Sequence, residues 1–119
     1  MNIGITGSEA EDFACKYLQN QGLTLIERNF SSRRGELDLV MLETKQLVFI
    51  EVRYRKSNVY GSALESVNQK KINKLLTAAQ FFLLKHTEYN QYAARFDVIG
   101  LSGSLDNPQI DWIKNAFNG

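Results

Sequence analysis

The chain is predicted to fold as one α/β domain over residues 1–119, with a mixed central β-sheet flanked by helices in the order α-β-β-β-α-β(-β). Three observations predict it. Two segments carry apolar residues at helical spacing, each headed by a capping-box pattern. Between them lie two strand-like segments, residues 35–40 and 48–53, separated by a short polar turn. A further strand pattern follows the second helix.

Taken in order, Ser8 is placed to cap the first helix, with Glu11 three residues later as its capping-box partner. Phe13, Ala14, Tyr17 and Leu18 give that helix its apolar stripe, and Gly22 marks its C-terminal end. Residues 23–30 read as a strand. Ser31-Ser32-Arg33-Arg34-Gly35 is a basic turn, and the acidic hairpin comes next. Residues 54–60 are polar and loop-like. Ser62-Ala63-Leu64-Glu65 repeats the capping-box pattern, and the helix after it shows Leu64, Val67, Leu75, Leu76, Ala79, Phe82 and Leu83 on its apolar face. Lys70, Lys71 and Lys74 are expected towards solvent. Residues 95–101 form another strand, then a polar Gly/Ser/Asp/Asn/Pro loop leads to a short strand-like tail at 109–114. There is no repeat, low-complexity tract or interdomain linker.

The hairpin carries the most chemistry. If Glu43-Thr44-Lys45-Gln46 closes it with Leu42 opposite Leu47, Asp38 falls across from Glu51 and Glu36 across from Arg53. Alternation then puts Glu36 and Asp38 on one face and Leu37, Leu39 and Met41 on the other. Like charges on directly opposed strand residues are destabilising. A shared divalent metal would give such a pair its reason. The plainer alternative is an ordinary Glu36–Arg53 ion pair, with Asp38 and Glu51 facing water. Against it, Leu47-Val48-Phe49-Ile50 is a nearly continuous apolar run, which suits a strand covered on both faces. A carboxylate in a covered sheet should be paired, protonated or metal-bound.

Composition narrows the remaining classes. A hydrophobic content of 44% and a charged content of 23% are ordinary for a soluble globular domain. No apolar stretch approaches the roughly 20 residues that span a bilayer, and the N-terminus has no secretory pattern. Cys15 is the single cysteine, which excludes an internal disulfide and fits a cytoplasmic setting. With Cys15 and His86 the only such residues, a Cys/His zinc site is excluded, and His86 reads as a surface residue at a helix end. The net charge of +1 is unevenly spread: residues 28–74 hold ten Lys/Arg against five Asp/Glu. Arg28, Arg33, Arg34, Arg53, Arg55, Lys56, Lys70, Lys71 and Lys74 are thereby candidates to track a phosphate backbone, or else merely solubilising.

The order of elements, with an Asp on one hairpin strand and Glu-Val-Arg on the next, resembles the restriction-endonuclease-like fold of the PD-(D/E)xK nucleases. A closer resemblance is to the YraN family of uncharacterised bacterial proteins. It is carried by Gly7-Ser8-Glu9-Ala10-Glu11-Asp12, Arg28-Asn29-Phe30, Gly35-Glu36-Leu37-Asp38-Leu39-Val40 and Phe49-Ile50-Glu51-Val52-Arg53-Tyr54-Arg55, and it continues in Tyr60-Gly61, Lys70, Ala78-Ala79 and Arg95-Phe96-Asp97-Val98.

The resemblance implies roles. Asp38 and Glu51 match the metal-binding carboxylates, for Mg²⁺ or Mn²⁺, and Glu11 matches a helix-borne acid that joins them; a capping-box role competes for Glu11. Residue 53 takes the place of the motif lysine but is Arg, which stays protonated and cannot act as a base. Lys70 or Lys56 is then a candidate for the vacant place, with a solvated helix face the competing reading for Lys70. The implied function is a nucleic-acid-binding protein of nuclease ancestry, hydrolysing phosphodiester bonds with a divalent metal. Asp38, Glu51, Arg53 and Glu11 would be catalytic, and Arg33, Arg34, Arg55, Lys56 and Lys70 would hold DNA or RNA. Two alternatives stay open: a non-catalytic nucleic-acid-binding module that lost the lysine, and a protein-interaction domain.

Overall fold

The computed structural model describes residues 6–56 and 63–118. Helix α1 (Gly7–Asn20) is followed by strands β1 (Thr24–Ser32), β2 (Gly35–Glu43) and β3 (Gln46–Arg55), helix α2 (Gln69–Lys85), and strands β4 (Ala93–Ser102) and β5 (Gln109–Phe117). One-turn 3₁₀ segments, Leu64–Ser66 and Thr87–Tyr89, flank α2. The five strands form one sheet in sequence order, antiparallel except for the parallel β3–β4 pair that α2 connects. This is the mixed, helix-flanked sheet expected.

Each helix covers one face. Ala10, Ala14, Cys15 and Leu18 of α1 pack on Leu39, Met41, Val48, Ile50, Ile99 and Leu101. Leu75, Ala78, Ala79 and Phe82 of α2 pack on Phe30, Leu37, Val40, Leu47, Phe49 and Val98. The central strands are therefore covered on both sides, as the apolar run at 47–50 requires. Cys15 is buried as a free thiol in the α1 layer.

Local signals decide the helix ends. The first cap is Thr6 with Glu9, each binding the other's backbone N–H at 3.1 Å, instead of the expected Ser8 with Glu11. Both spacings satisfy the motif; capping two residues earlier leaves Glu11 free to turn towards the sheet. Gly22 ends α1 as expected, at φ 103, with Leu23 N–H reaching the Leu18 carbonyl and Gly22 N–H that of Gln19. Helix α2 begins at Gln69 under an Asn68 cap that accepts the Lys71 N–H. It does not begin at Ser62, which lies outside the described residues, as does Tyr60-Gly61; Val67 is extended at φ −102, ψ 99 and separates the 3₁₀ turn from the helix. His86 caps α2 half-buried against Phe82, with a ring separation of 4.5 Å, beside Glu27.

The hairpin register is the expected one, with Leu42 on Leu47 and Leu39 on Ile50. Leu37 departs from expectation: it packs towards α2 with Val40, whereas Leu39 and Met41 face α1. Alternation breaks at Asp38. There the Asn29–Asp38 rung is missing from the β1–β2 ladder, Asn29 stands at φ 54, and the β2–β3 ladder stops after Leu39–Ile50.

Gly100 of β4 explains how the segment before α2 lies so close to the sheet. A Cβ on Gly100 would sit 2.4 Å from the Ala63 Cβ. Gly100→Ala is expected to destabilise the fold by about 1–3 kcal/mol through overpacking, measured by urea unfolding. Ala63→Gly in the same chain should recover part of that loss, and additive losses would contradict the contact.

Candidate carboxylate site

The break in the ladders at Asp38 builds the site. No strand partner takes the Val52 N–H there, and the Asp38 Oδ2 accepts it at 2.9 Å. This bond draws the Asp38 side chain into the gap between β2 and β3, next to Glu51. Glu51 is 3% exposed, and its Oε1 has no hydrogen-bond partner. Its Oε2 lies 3.5 Å from the Arg53 Nε and 3.5 Å from the Lys71 Nζ of α2.

The electrostatics follow from that crowding. Burial, then the neighbouring Glu51 charge, pushes the Asp38 carboxyl from its ordinary 3.8 up to about 7, against the pull of the Val52 N–H and Lys71. Glu11 is also raised, chiefly by burial and then by Asp38. Its oxygens are otherwise engaged, by an Asn29 side-chain hydrogen bond and by Arg28 at 3.6 Å.

The sequence-predicted residues thus separate into groups. Asp38 and Glu51 come together. Arg53 joins them through its ionic contact with Glu51, while its Nη2 donates to the Ser66 carbonyl at 3.1 Å. Its ionic partner is Glu51; Glu36 sits exposed on β2, paired across to Ser31 on the other side. Glu11 lies within electrostatic reach of Asp38, yet among the described residues no group of three or more His, Cys, Asp and Glu stands close enough to share a metal. Two hard oxygen donors, one with an unmatched oxygen, still fit Mg²⁺ or Mn²⁺, which commonly binds through one or two carboxylates plus phosphate and water.

Of the basic candidates, Arg33 and Arg34 form the exposed β1–β2 turn, and Lys70 is exposed on α2. Arg55 ends β3 and Lys56 follows it in the open. Arg28 is committed elsewhere, held by Asp12 at 2.7 Å.

Lys71 is the residue that sequence reasoning misplaced. The sequence pattern places it in solvent and leaves Lys70 or Lys56 as candidates for the vacant lysine position. Residues 71, 75, 78 and 82 follow a spacing of four, three and four, so Lys71 extends the buried stripe of Leu75, Ala78 and Phe82 by one turn. That signal was legible once the helix start was known.

A second polar cluster was not anticipated as such. Asp97 is 1% exposed; its Oδ1 accepts from the Arg95 Nε and the Asn115 N–H, and its Oδ2 from the Arg95 Nη2 and the Trp112 Nε1. The Arg95 Nη1 reaches Glu43 and Gln46, both at 2.7 Å. All four of the Asp97 bonds are internal, so this cluster is structural: it ties β4 to β5 and to the hairpin turn.

Residues 10–101 match the uncharacterised protein family UPF0102. A UPF0102 protein of Pseudomonas syringae pv. syringae is 51% identical over 113 residues, covering 94% of this chain and 92% of that one. Another from Alcanivorax borkumensis is 48% identical, covering 94% and 90%. A solved structure described as Pyrococcus furiosus SfsA in complex with Ca²⁺ is similar at a TM-score of 0.36 and 15% identity, over 91% of this chain and 62% of that one. A likeness that low carries no argument.

Proposed function

The chain belongs to uncharacterised protein family UPF0102, and we propose that it is a nucleic-acid-binding protein of nuclease ancestry that hydrolyses phosphodiester bonds with Mg²⁺ or Mn²⁺. The observation that carries this reading is Glu51, buried against Asp38 with one carboxylate oxygen unmatched. Buried, crowded carboxylates with perturbed titration concentrate at functional sites. Asp38 and Glu51 would hold the metal, which when bound lowers the pKa of its water and offsets charge on the scissile phosphate. Lys71 supplies the compact ammonium that residue 53 lacks, and Arg53 offers charge to phosphate oxygens while the Ser66 carbonyl orients it. Arg33, Arg34, Arg55, Lys56 and Lys70 supply sequence-independent attraction to the backbone.

The test is cleavage of single-stranded, duplex and branched DNA in either metal. Asp38→Asn and Glu51→Gln are each expected to lower the rate by two orders of magnitude or more, and Lys71→Ala by roughly 10²-fold. Cleavage that survives in both carboxylate variants would come from a contaminant. One observation favours a second reading, the non-catalytic binding module: the cations of Arg53 and Lys71 both stand against Glu51 and offset its charge without a metal. That module binds nucleic acid with strong salt dependence, unaffected by Asp38→Asn, and yields no product.

A further inference from the structure

The exposed side of α2 carries a stripe that the carboxylate site does not use. Lys70, Asn73, Lys74 and Thr77 line one open hollow of about 440 Å³ together with Arg34. Phe81, Leu84 and Lys85 line a second, of about 460 Å³, together with Phe30 and Arg33. Positions 70, 74, 77, 81, 84 and 85 recur at helical spacing, so the two hollows follow one face of the helix for roughly 22 Å. The β1–β2 turn stands beside both and sends Arg34 into one and Arg33 into the other. Its closeness is structural: a Cβ on Gly35 would lie 2.6 Å from the Lys74 carbonyl oxygen.

The two halves differ in chemistry. The N-terminal half is cationic and polar. The C-terminal half holds Phe81 and Leu84, 45% and 73% exposed, the large hydrophobic side chains left in the open among the described residues. Two exposed apolar side chains one turn apart, in a hollow, form a candidate contact surface. No acidic residue lines either hollow, and five cations do. A row of cations continued by an exposed aromatic ring matches a nucleic acid with unpaired bases, whose phosphates need the former and whose base faces need the latter. A duplex keeps its bases stacked inside and has no use for Phe81. On the neighbouring face of the same helix, Lys71 reaches Glu51.

We infer that this stripe is a platform for single-stranded nucleic acid, with phosphates held by Arg34, Lys70 and Lys74 and a base stacked on Phe81. The inference rests on the nucleic-acid reading above and adds the substrate class to it. Binding is measured on Asp38→Asn chain without metal, by fluorescence anisotropy with a short oligothymidylate and with a blunt duplex of equal length. Preference for the single strand is expected. Phe81→Ala should weaken it roughly 5- to 150-fold, and Phe81→Tyr should retain it. Lys70→Ala with Lys74→Ala should reduce the salt slope by about 1.4. Circular dichroism confirms that each variant is folded; Phe81→Leu serves where Phe81→Ala is not. Equal affinity for both probes with Phe81 replaceable by Leu would overturn the platform and leave general nucleic-acid binding intact. Absence of binding to either probe would overturn both, and would leave the apolar half as a protein-docking surface.

Discussion

Asp97→Asn is expected to lower stability by about 3–5 kcal/mol, the usual cost of breaking one partner out of a buried charge pair. For a chain of this length that corresponds to a fall in Tm of roughly 12–20 °C, at about 4 °C per kcal/mol. The reason lies in the geometry. Both Asp97 oxygens accept two bonds each, from Arg95, Trp112 and the Asn115 backbone, and all four donors point inwards. An amide presents an NH₂ where an acceptor is required, so two of the four donors lose their partner: one from Arg95, and either the Asn115 N–H or the Trp112 Nε1. The bulge in β5 around Asn115, at φ 53, depends on the same carboxylate. Trp112→Phe, which removes one of the four bonds, should cost about 1 kcal/mol. Thermal unfolding of the two variants side by side is the measurement. An Asp97→Asn variant within 1 kcal/mol of the parent would show that the network is not what holds β5.

The second large effect has the opposite sign. Asp38→Asn is expected to stabilise the protein at pH 8, by on the order of 2–4 kcal/mol. The folded Asp38 titrates at about 7 against an ordinary 3.8. Between those values the folded chain keeps a proton that the unfolded chain has released, so stability falls as pH rises, by about 1.4 kcal/mol per unit. Below 3.8 both forms are protonated and the contribution is complete; above 7 both are ionised and it is lost. Asparagine carries no charge at any of these pH values, and its carbonyl can still accept the Val52 N–H. The groups facing Asp38 are Glu51, Lys71 and Glu11, and the variant leaves all three in place. The variant's advantage should therefore shrink as pH is lowered towards 4. A difference independent of pH would contradict the half-buried, crowded carboxylate. Adding Mg²⁺ or Mn²⁺ at pH 8 should raise the Tm of the parent, by about 2.7 kcal/mol of stability at a hundred times Kd, and leave the variant unmoved. Equal stabilisation of both would remove the metal from the proposal.

The sequence by itself determined the frame: the element order, the stop of α1 at Gly22, the apolar faces of both helices and the hairpin register. These are legible because each depends on a local period or on one turn. A two-residue link at Thr44-Lys45 and matching apolar faces leave one register, which directs Asp38 towards Glu51; the ladder itself stops at Leu39–Ile50, and the Val52 N–H seats the Asp38 side chain there. Tertiary structure decided what the charged residues do with the frame. Arg95 and Asp97 enter the sequence reading only as the start of a strand and as part of the family resemblance, because nothing local says that β5 will fold back to bury them. Lys71 rather than Lys70 reaches Glu51 because α2 is capped at Asn68, and the rotation of a helix about its axis follows from where it starts and what it packs on. Glu11 turns to Arg28 and Asn29 because Thr6 and Glu9 supply the cap. Leu37 changes face because the ladders lapse at Asp38. Apolar pattern is a property of neighbouring positions along the chain, whereas a charge is placed by whichever distant group removes it from water, and only the folded chain brings that group near.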